Sequence, residues 1–171
     1  KAVIVSAIAG VRVRKLKNML KTNHHIIRIM PSITISIGHG IIGIYASTPE
    51  VRNLLSQFGM IIEVDDEQKL DTLTMASGCG PGVASYLIQS LVNSFIEIGL
   101  SESESLDIAL QTVLGTSLLL KEQKISPQQL LSQVATKGGV TESIVQYLDE
   151  HDLGFIITQG LHHGKQTLLK I

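Results

Sequence analysis

Up to about residue 65 this chain alternates short β-branched runs with helix-period segments; beyond it every apolar pattern is helical. A period of two residues buries one face of a strand, and a period of 3.6 buries one stripe of a helix, so such a switch fixes the architecture on either side. Residues 2–5, 26–30, 33–37, 41–45 and 61–64 read as strands, with helical patterns at 11–20 and 49–58 between them. Strands alternating with helices imply an α/β sheet. Helices are then expected at 67–77, 81–99, 102–121, 127–134, 141–150 and 153–169. Thr48-Pro49-Glu50 has an N-cap threonine and a first-turn proline, and Ser101 and Ser126-Pro127 mark two further starts. The expected class is α/β followed by all-α, with domains at 1–65 and 66–171. The first strand reads as buried and begins at Lys1 without an initiator methionine, so the chain is expected to be the later part of a longer protein.

The helix at 81–99 carries Val83, Ala84, Tyr86, Leu87, Ile88, Leu91, Val92, Phe95, Ile96 and Ile98, which spread over most of its circumference. A helix apolar nearly all round is covered on several sides. Either it runs through the centre of one chain, or a second subunit covers it; a domain this small hides little surface by itself.

Composition excludes several classes. At 44% hydrophobic and 17% charged residues the chain buries a core and is not disordered. A net charge of −1 argues against a nucleic-acid-binding surface, and the cluster Arg12-Val13-Arg14-Lys15-Leu16-Lys17 reads as a solvated helix face. No apolar window has transmembrane length and no signal peptide is present, so the expected location is the cytoplasm. A single cysteine, Cys79, allows no internal disulfide.

Gly38-His39-Gly40-Ile41-Ile42-Gly43 matches a dinucleotide-binding signature letter for letter, with Glu63 about twenty residues on. That motif needs a helix at its glycines, whereas these glycines run into β-branched residues, so it is not read as a phosphate loop. Ser77-Gly78-Cys79-Gly80-Pro81-Gly82 reads as a helix–turn–helix junction, with Cys79 as a buried structural cysteine rather than a nucleophile. The paired histidines His24-His25 and His162-His163 lack the spacing that puts two ligands on one helix face, and no metal is expected. Ala135-Thr136-Lys137-Gly138-Gly139-Val140-Thr141 places bare backbone ahead of a helix, with Thr141 expected as its N-cap. Its reading is a helix–helix turn or an anion site built from helix-start amides. Glu67 is a helix-start carboxylate near the domain boundary.

Four segments in order resemble the pyrroline-5-carboxylate reductase family. Val5-Ser6-Ala7-Ile8-Ala9-Gly10 is similar to its Ser-x-Ala-Ala-Gly turn after a Rossmann strand, and Arg28-Ile29-Met30-Pro31-Ser32-Ile33-Thr34 to its Arg-x-Met-Pro-Asn-Thr-Pro segment. Residues 77–82 resemble its Gly-Ser-Gly-Pro-Ala junction, and 125–141 the stretch ending in Ser-Pro-Gly-Gly-Thr-Thr. The resemblance implies the C-terminal part of a Rossmann-like domain joined to a helical dimerisation domain, in a homodimer or higher homo-oligomer. It implies an oxidoreductase of proline biosynthesis that reduces 1-pyrroline-5-carboxylate to L-proline with NADP or NAD as cofactor, the main phosphate-binding part lying outside this chain. Ala9, Gly10, Met30, Pro31 and Ser32 would then face the cofactor. Glu67, Gln133, Gly138, Gly139, Val140 and Thr141 would face a small imino-acid or proline-like ligand, with Thr141 catalytic; no nucleic acid or membrane is implied as a partner.

The departures from the family pattern are Ser32 for asparagine, Thr34 for proline, Lys137 for proline, Gly82 for alanine, and Gln133 where asparagine or another polar residue is usual. Pro-Ser-Ile-Thr and Lys-Gly-Gly-Val-Thr look closer to a reductase-like paralogue encoded with late competence genes in Gram-positive bacteria. That likeness implies the alternative of a dimeric binding or regulatory protein without reductase activity.

Overall fold

The computed structural model of the chain describes residues 2–168 and residue 170. By packing it divides into two units, one of residues 1–83 with 161–171, the other of residues 84–160. The sheet ends at Val64, yet the helix that follows packs with the sheet, so the packing boundary lies beyond the compositional break.

In the first unit, β1 (Val3–Ser6), β2 (His25–Pro31), β3 (Gly40–Tyr45) and β4 (Gly59–Val64) form one sheet in the order β1-β2-β3-β4. The outer pairs are parallel, with Val3 opposite His25 and Gly40 opposite Gly59. The central pair is antiparallel, with Arg28 opposite Tyr45. Helices α1 (Val13–Leu20), α2 (Pro49–Leu55) and α3 (Glu67–Leu73) connect or flank the strands. The core gathers Ile26, Ile27 and Met30 of β2, Ile42 and Ile44 of β3, Leu16 of α1 and Leu70 of α3. Gly43 makes this possible on the α3 side, because a Cβ there would meet the Leu70 and Leu73 methyl carbons at 3.0 and 3.2 Å.

Two strand expectations need correction. Residues Ile33–Ile37 form a 3-10 turn, not a strand. The Ser32 N–H donates to the Ile41 carbonyl at 2.8 Å and the Ser32 hydroxyl accepts the Ile41 N–H at 2.9 Å, which closes a β2–β3 hairpin whose loop is this segment. Gly38 ends the turn at φ 73°, a conformation that favours glycine. The first strand is also not fully buried: β1 forms the sheet edge, with Val3 and Val5 exposed by 42% and 44%. As the β-branched residues predict, the Gly38-His39-Gly40 run leads into strand β3 rather than a helix.

After α3, Thr74–Gly78 form a π-helical turn that runs through Cys79 into α4 (Gly80–Glu97). The expected helix–turn–helix junction is therefore a nearly continuous helical path, with Pro81 accommodated in the first turn of α4. Cys79 is exposed, contrary to the buried reading. The chain continues as α5 (Glu102–Gln123), α6 (Pro127–Val134), α7 (Val140–Glu150) and α8 (Leu153–Leu168). Residue 169, included in the expected last helix, lies outside the described residues. Ser101 with Glu104 and Ser126 with Gln129 form capping boxes at α5 and α6. The Ser101 hydroxyl and then its N–H hold the Glu104 carboxyl below its ordinary value. With the folded value depressed, that cap contributes above the unfolded pKa and is lost as pH falls through the folded one.

Within the second unit only Val92, Ser105 and Ala109 are buried, while Tyr86, Leu91, Leu110, Leu114, Leu118 and Ile144 stand exposed. The apolar circumference of α4 is thus not covered by a central position within this chain.

Gly59 has φ 148°, and a Cβ on it would overlap the Gly40 backbone across the β3–β4 pair. Gly59→Ala should therefore destabilise the sheet by about 1–3 kcal/mol, the usual range for forcing atoms into filled space. Urea unfolding at fixed protein concentration measures this, and an unchanged midpoint would show that β4 shifts freely.

Candidate functional site

Because β1 and β2 are parallel, with Ser6 opposite Arg28, their carboxyl ends lie side by side. Ligands of open α/β sheets bind outside such strand ends. Ala9 and Gly10 lie in the connection from β1 to α1, both half-buried, with Gly10 at φ 72°. Met30, Pro31 and Ser32 finish β2 and enter the hairpin loop. The sheet therefore brings all five expected cofactor-facing residues to one end. Their side chains differ in freedom. Met30 is buried in the core and its carbonyl accepts the Ser77 hydroxyl at 3.4 Å. The Ser32 hydroxyl shares a 2.8 Å hydrogen bond with Thr34 and accepts from Ile41, so it is committed to the hairpin.

Glu67 opens α3 in the same unit. Its Oε1 accepts the Val13 N–H at 2.8 Å and an Arg28 N–H at 3.0 Å, while Oε2 stays outside both bonds. Arg28 is fully buried, and its other terminal nitrogen donates to Asp71 at 3.2 Å. Sequence reasoning missed this cluster. Its signal was present: a cation between Ile26, Ile27, Ile29 and Met30 on a core strand requires a buried anion, and Glu67 and Asp71 are spaced four apart on one helix face.

Gln133 and residues 138–141 belong to the helical unit. Gln133 is exposed in the last turn of α6, and the link to α7 holds the glycine pair. Gly138 takes φ 73° and donates its N–H to the Glu142 carboxylate at 2.6 Å. The Gly139 N–H donates to the Thr136 carbonyl at 2.8 Å. Gly139, not Thr141, is the N-cap of α7, because the helix already begins at Val140. Thr141 is the second helical residue, half-buried, and Val140 is 79% exposed. Both glycine amides are thus used within the loop. At the start of α7 the N–H groups of Val140, Thr141 and Glu142 have no acceptor among the described residues. Three such donors at a helix start favour an anion.

No group of three His, Cys, Asp or Glu among the described residues is arranged to hold a metal. Among the described residues no helix is long and apolar enough to cross a membrane.

Since the Thr141 hydroxyl is not the α7 cap, Thr141→Val should leave stability within about 0.5 kcal/mol of the parent, as surface-type substitutions do. Glu142→Ala removes the acceptor for Gly138 and a first-turn charge, and should cost about 0.5–1 kcal/mol. Thermal unfolding of the two variants side by side checks the assignment; the reverse order would restore Thr141 as the cap.

Comparison with known proteins gives the family. The family model described as pyrroline-5-carboxylate reductase dimerisation matches residues 67–168. The chain is 29% identical to a pyrroline-5-carboxylate reductase of Aquifex aeolicus, a match covering 100% of this chain and 67% of that protein. It is 28% identical to the one of Staphylococcus haemolyticus, covering 92% of the chain and 60% of that protein, so it spans about two thirds of the length of these relatives. Among solved structures, 1-pyrroline-5-carboxylate reductase from Streptococcus pyogenes superposes with a TM-score of 0.89 at 22% identity, over 100% of this chain and 68% of that one. Pyrroline carboxylate reductase from Plasmodium falciparum with NADP bound gives 0.87 at 23% identity, over 98% and 70%. These likenesses establish a sheet matching the C-terminal part of a Rossmann domain, followed by the helical region of the same enzymes. With the family match extending over more than half of its residues, the chain belongs to the pyrroline-5-carboxylate reductase dimerisation family.

Proposed function

We propose that the full-length protein is a homodimeric, cytoplasmic NAD(P)H-dependent reductase that converts 1-pyrroline-5-carboxylate to L-proline. Family membership supports this reading, and the observation that carries it to particular residues is the set of three unpaired amides at the start of α7. The substrate is an anion with a C=N bond. Binding its carboxylate at Val140, Thr141 and Glu142 would orient the imine without a covalent nucleophile. The Thr141 hydroxyl is the proposed group for polarising or protonating the imine nitrogen. Gln133 is proposed as a polar neighbour.

NADP or NAD supplies the hydride in this chemistry. The residues present fit its nicotinamide end, since Ala7, Ala9 and Gly10 put little or no side chain at three positions of the β1–α1 connection, at the carboxyl end of parallel strands. Exposed Leu91, Leu110 and Leu114 in a unit with almost no core support the homodimer. A second reading, a binding or regulatory paralogue, is favoured by Lys137 at the loop and by Ser32 being locked into its hairpin.

Full-length protein with NADPH and 1-pyrroline-5-carboxylate should form proline, whereas this chain alone should show no turnover above background. Thr141→Val in the full-length protein should weaken binding of proline by about 1–2 kcal/mol, the range for one lost hydrogen bond. No turnover from the full-length protein, even after Lys137→Pro, would favour the binding reading. Sedimentation of the chain at micromolar concentration should give twice the chain mass; a folded monomer would overturn the dimer.

A further inference from the structure

We infer that Glu67, held by Arg28, is a positioning residue that locks the β1–α1 connection and so fixes the floor of the proposed cofactor site. The inference rests on the proposed function for the identity of that site, but the lock itself does not.

The connection spans residues 7–12 and little within it holds it in place. Ile8 donates weakly to the Ser6 hydroxyl at 3.4 Å, and Arg12, the N-cap of α1, offers no side-chain cap. A helix start must find outside acceptors for its first N–H groups. Here the acceptor comes from 54 residues away, where Glu67 Oε1 takes the Val13 N–H. Among the described residues this is the one hydrogen bond that ties the connection or the first turn of α1 to a distant part of the chain. Glu67 is fixed in turn by Arg28, which stands opposite Ser6, the last residue of β1. The path from Ser6 through Arg28, Glu67 and Val13 back along the connection is therefore a closed ring. Ala9 and Gly10 lie within it, pinned at both ends.

Asp71 provides the control that the structure itself supplies. It binds the same guanidinium and is comparably covered, with side-chain exposures of 18% against 16% for Glu67, but it makes no bond to α1. Loss of either carboxylate leaves Arg28 short of a partner; only loss of Glu67 frees the connection.

The test uses Glu67→Ala, Glu67→Gln and Asp71→Ala. Thermal midpoints are recorded for each, and hydrogen exchange is compared at equal offsets below them. In ligand-free protein Glu67→Ala should speed exchange at Val13 and across residues 8–12 by about tenfold or more, the signature of local opening. In full-length protein it should weaken NADPH binding, followed by nucleotide fluorescence, by about tenfold, as expected for a lost charge-assisted bond. Glu67→Gln keeps an oxygen that accepts the Val13 N–H and should recover most of both effects. Asp71→Ala should lower the midpoint without changing either. Equal loosening by Glu67→Ala and Asp71→Ala, or unchanged Val13 exchange in Glu67→Ala, would overturn the lock. So would a Glu67→Ala defect confined to the KM for the imino acid. If unsubstituted full-length protein does not bind NADPH, the proposed function falls, and the exchange comparison still decides the lock.

Discussion

A guanidinium with no exposed atoms must have its charge answered inside the protein, and the geometry of the sheet unit follows from how Arg28 meets that demand. Its two terminal nitrogens reach two carboxylates on one face of α3, which sets that helix against β2. Removing one partner of such a buried cluster costs about 3–5 kcal/mol, because the remaining charge cannot be solvated. Yet apolar replacements of whole clusters are often neutral, so stability alone does not account for it. What the cluster adds is direction. Arg28 lies opposite the end of β1, and Glu67 reaches the start of α1, so strand ends, helix start and connection share one reference point.

The helical unit depends on a different constraint. Its α5 and α6 open on capping boxes, but Val92, Ser105 and Ala109 are all that it buries. Capping and propensity contribute a few tenths to about 1 kcal/mol each and cannot replace a core. A unit of this kind gains its stability by covering Leu91, Leu110, Leu114 and their neighbours with another surface. Its apparent stability then depends on concentration, as in any protein whose folding and association are linked. The family's description as a dimerisation region agrees with this physical reading.

Much of this is legible in the sequence alone. β-branched runs gave four of the five expected strands, since a two-residue period survives only on a pleated surface, and Ser101, Ser126 and Pro127 marked helix starts by local capping chemistry. Ile33–Ile37 misled because its composition suits a strand, while two hydrogen bonds between Ser32 and Ile41 turn the segment into a hairpin loop. Thr141 misled for a similar reason. Threonine is a good cap, but the glycine pair lets α7 begin one residue before it, and that moves the unpaired amides to Val140, Thr141 and Glu142.

What the sequence by itself determined is therefore whatever local period and local capping dictate: the sheet-then-helix order, most element bounds, the bare loop ahead of α7 and the need of α4 for cover. The tertiary structure alone decided which distant groups meet. Strand order and direction place residues 9–10 beside 30–32, and the packing of α3 on the sheet brings Glu67 to Arg28 and Val13. Such pairings depend on three-dimensional register, and one-dimensional spacing carries no direct measure of that.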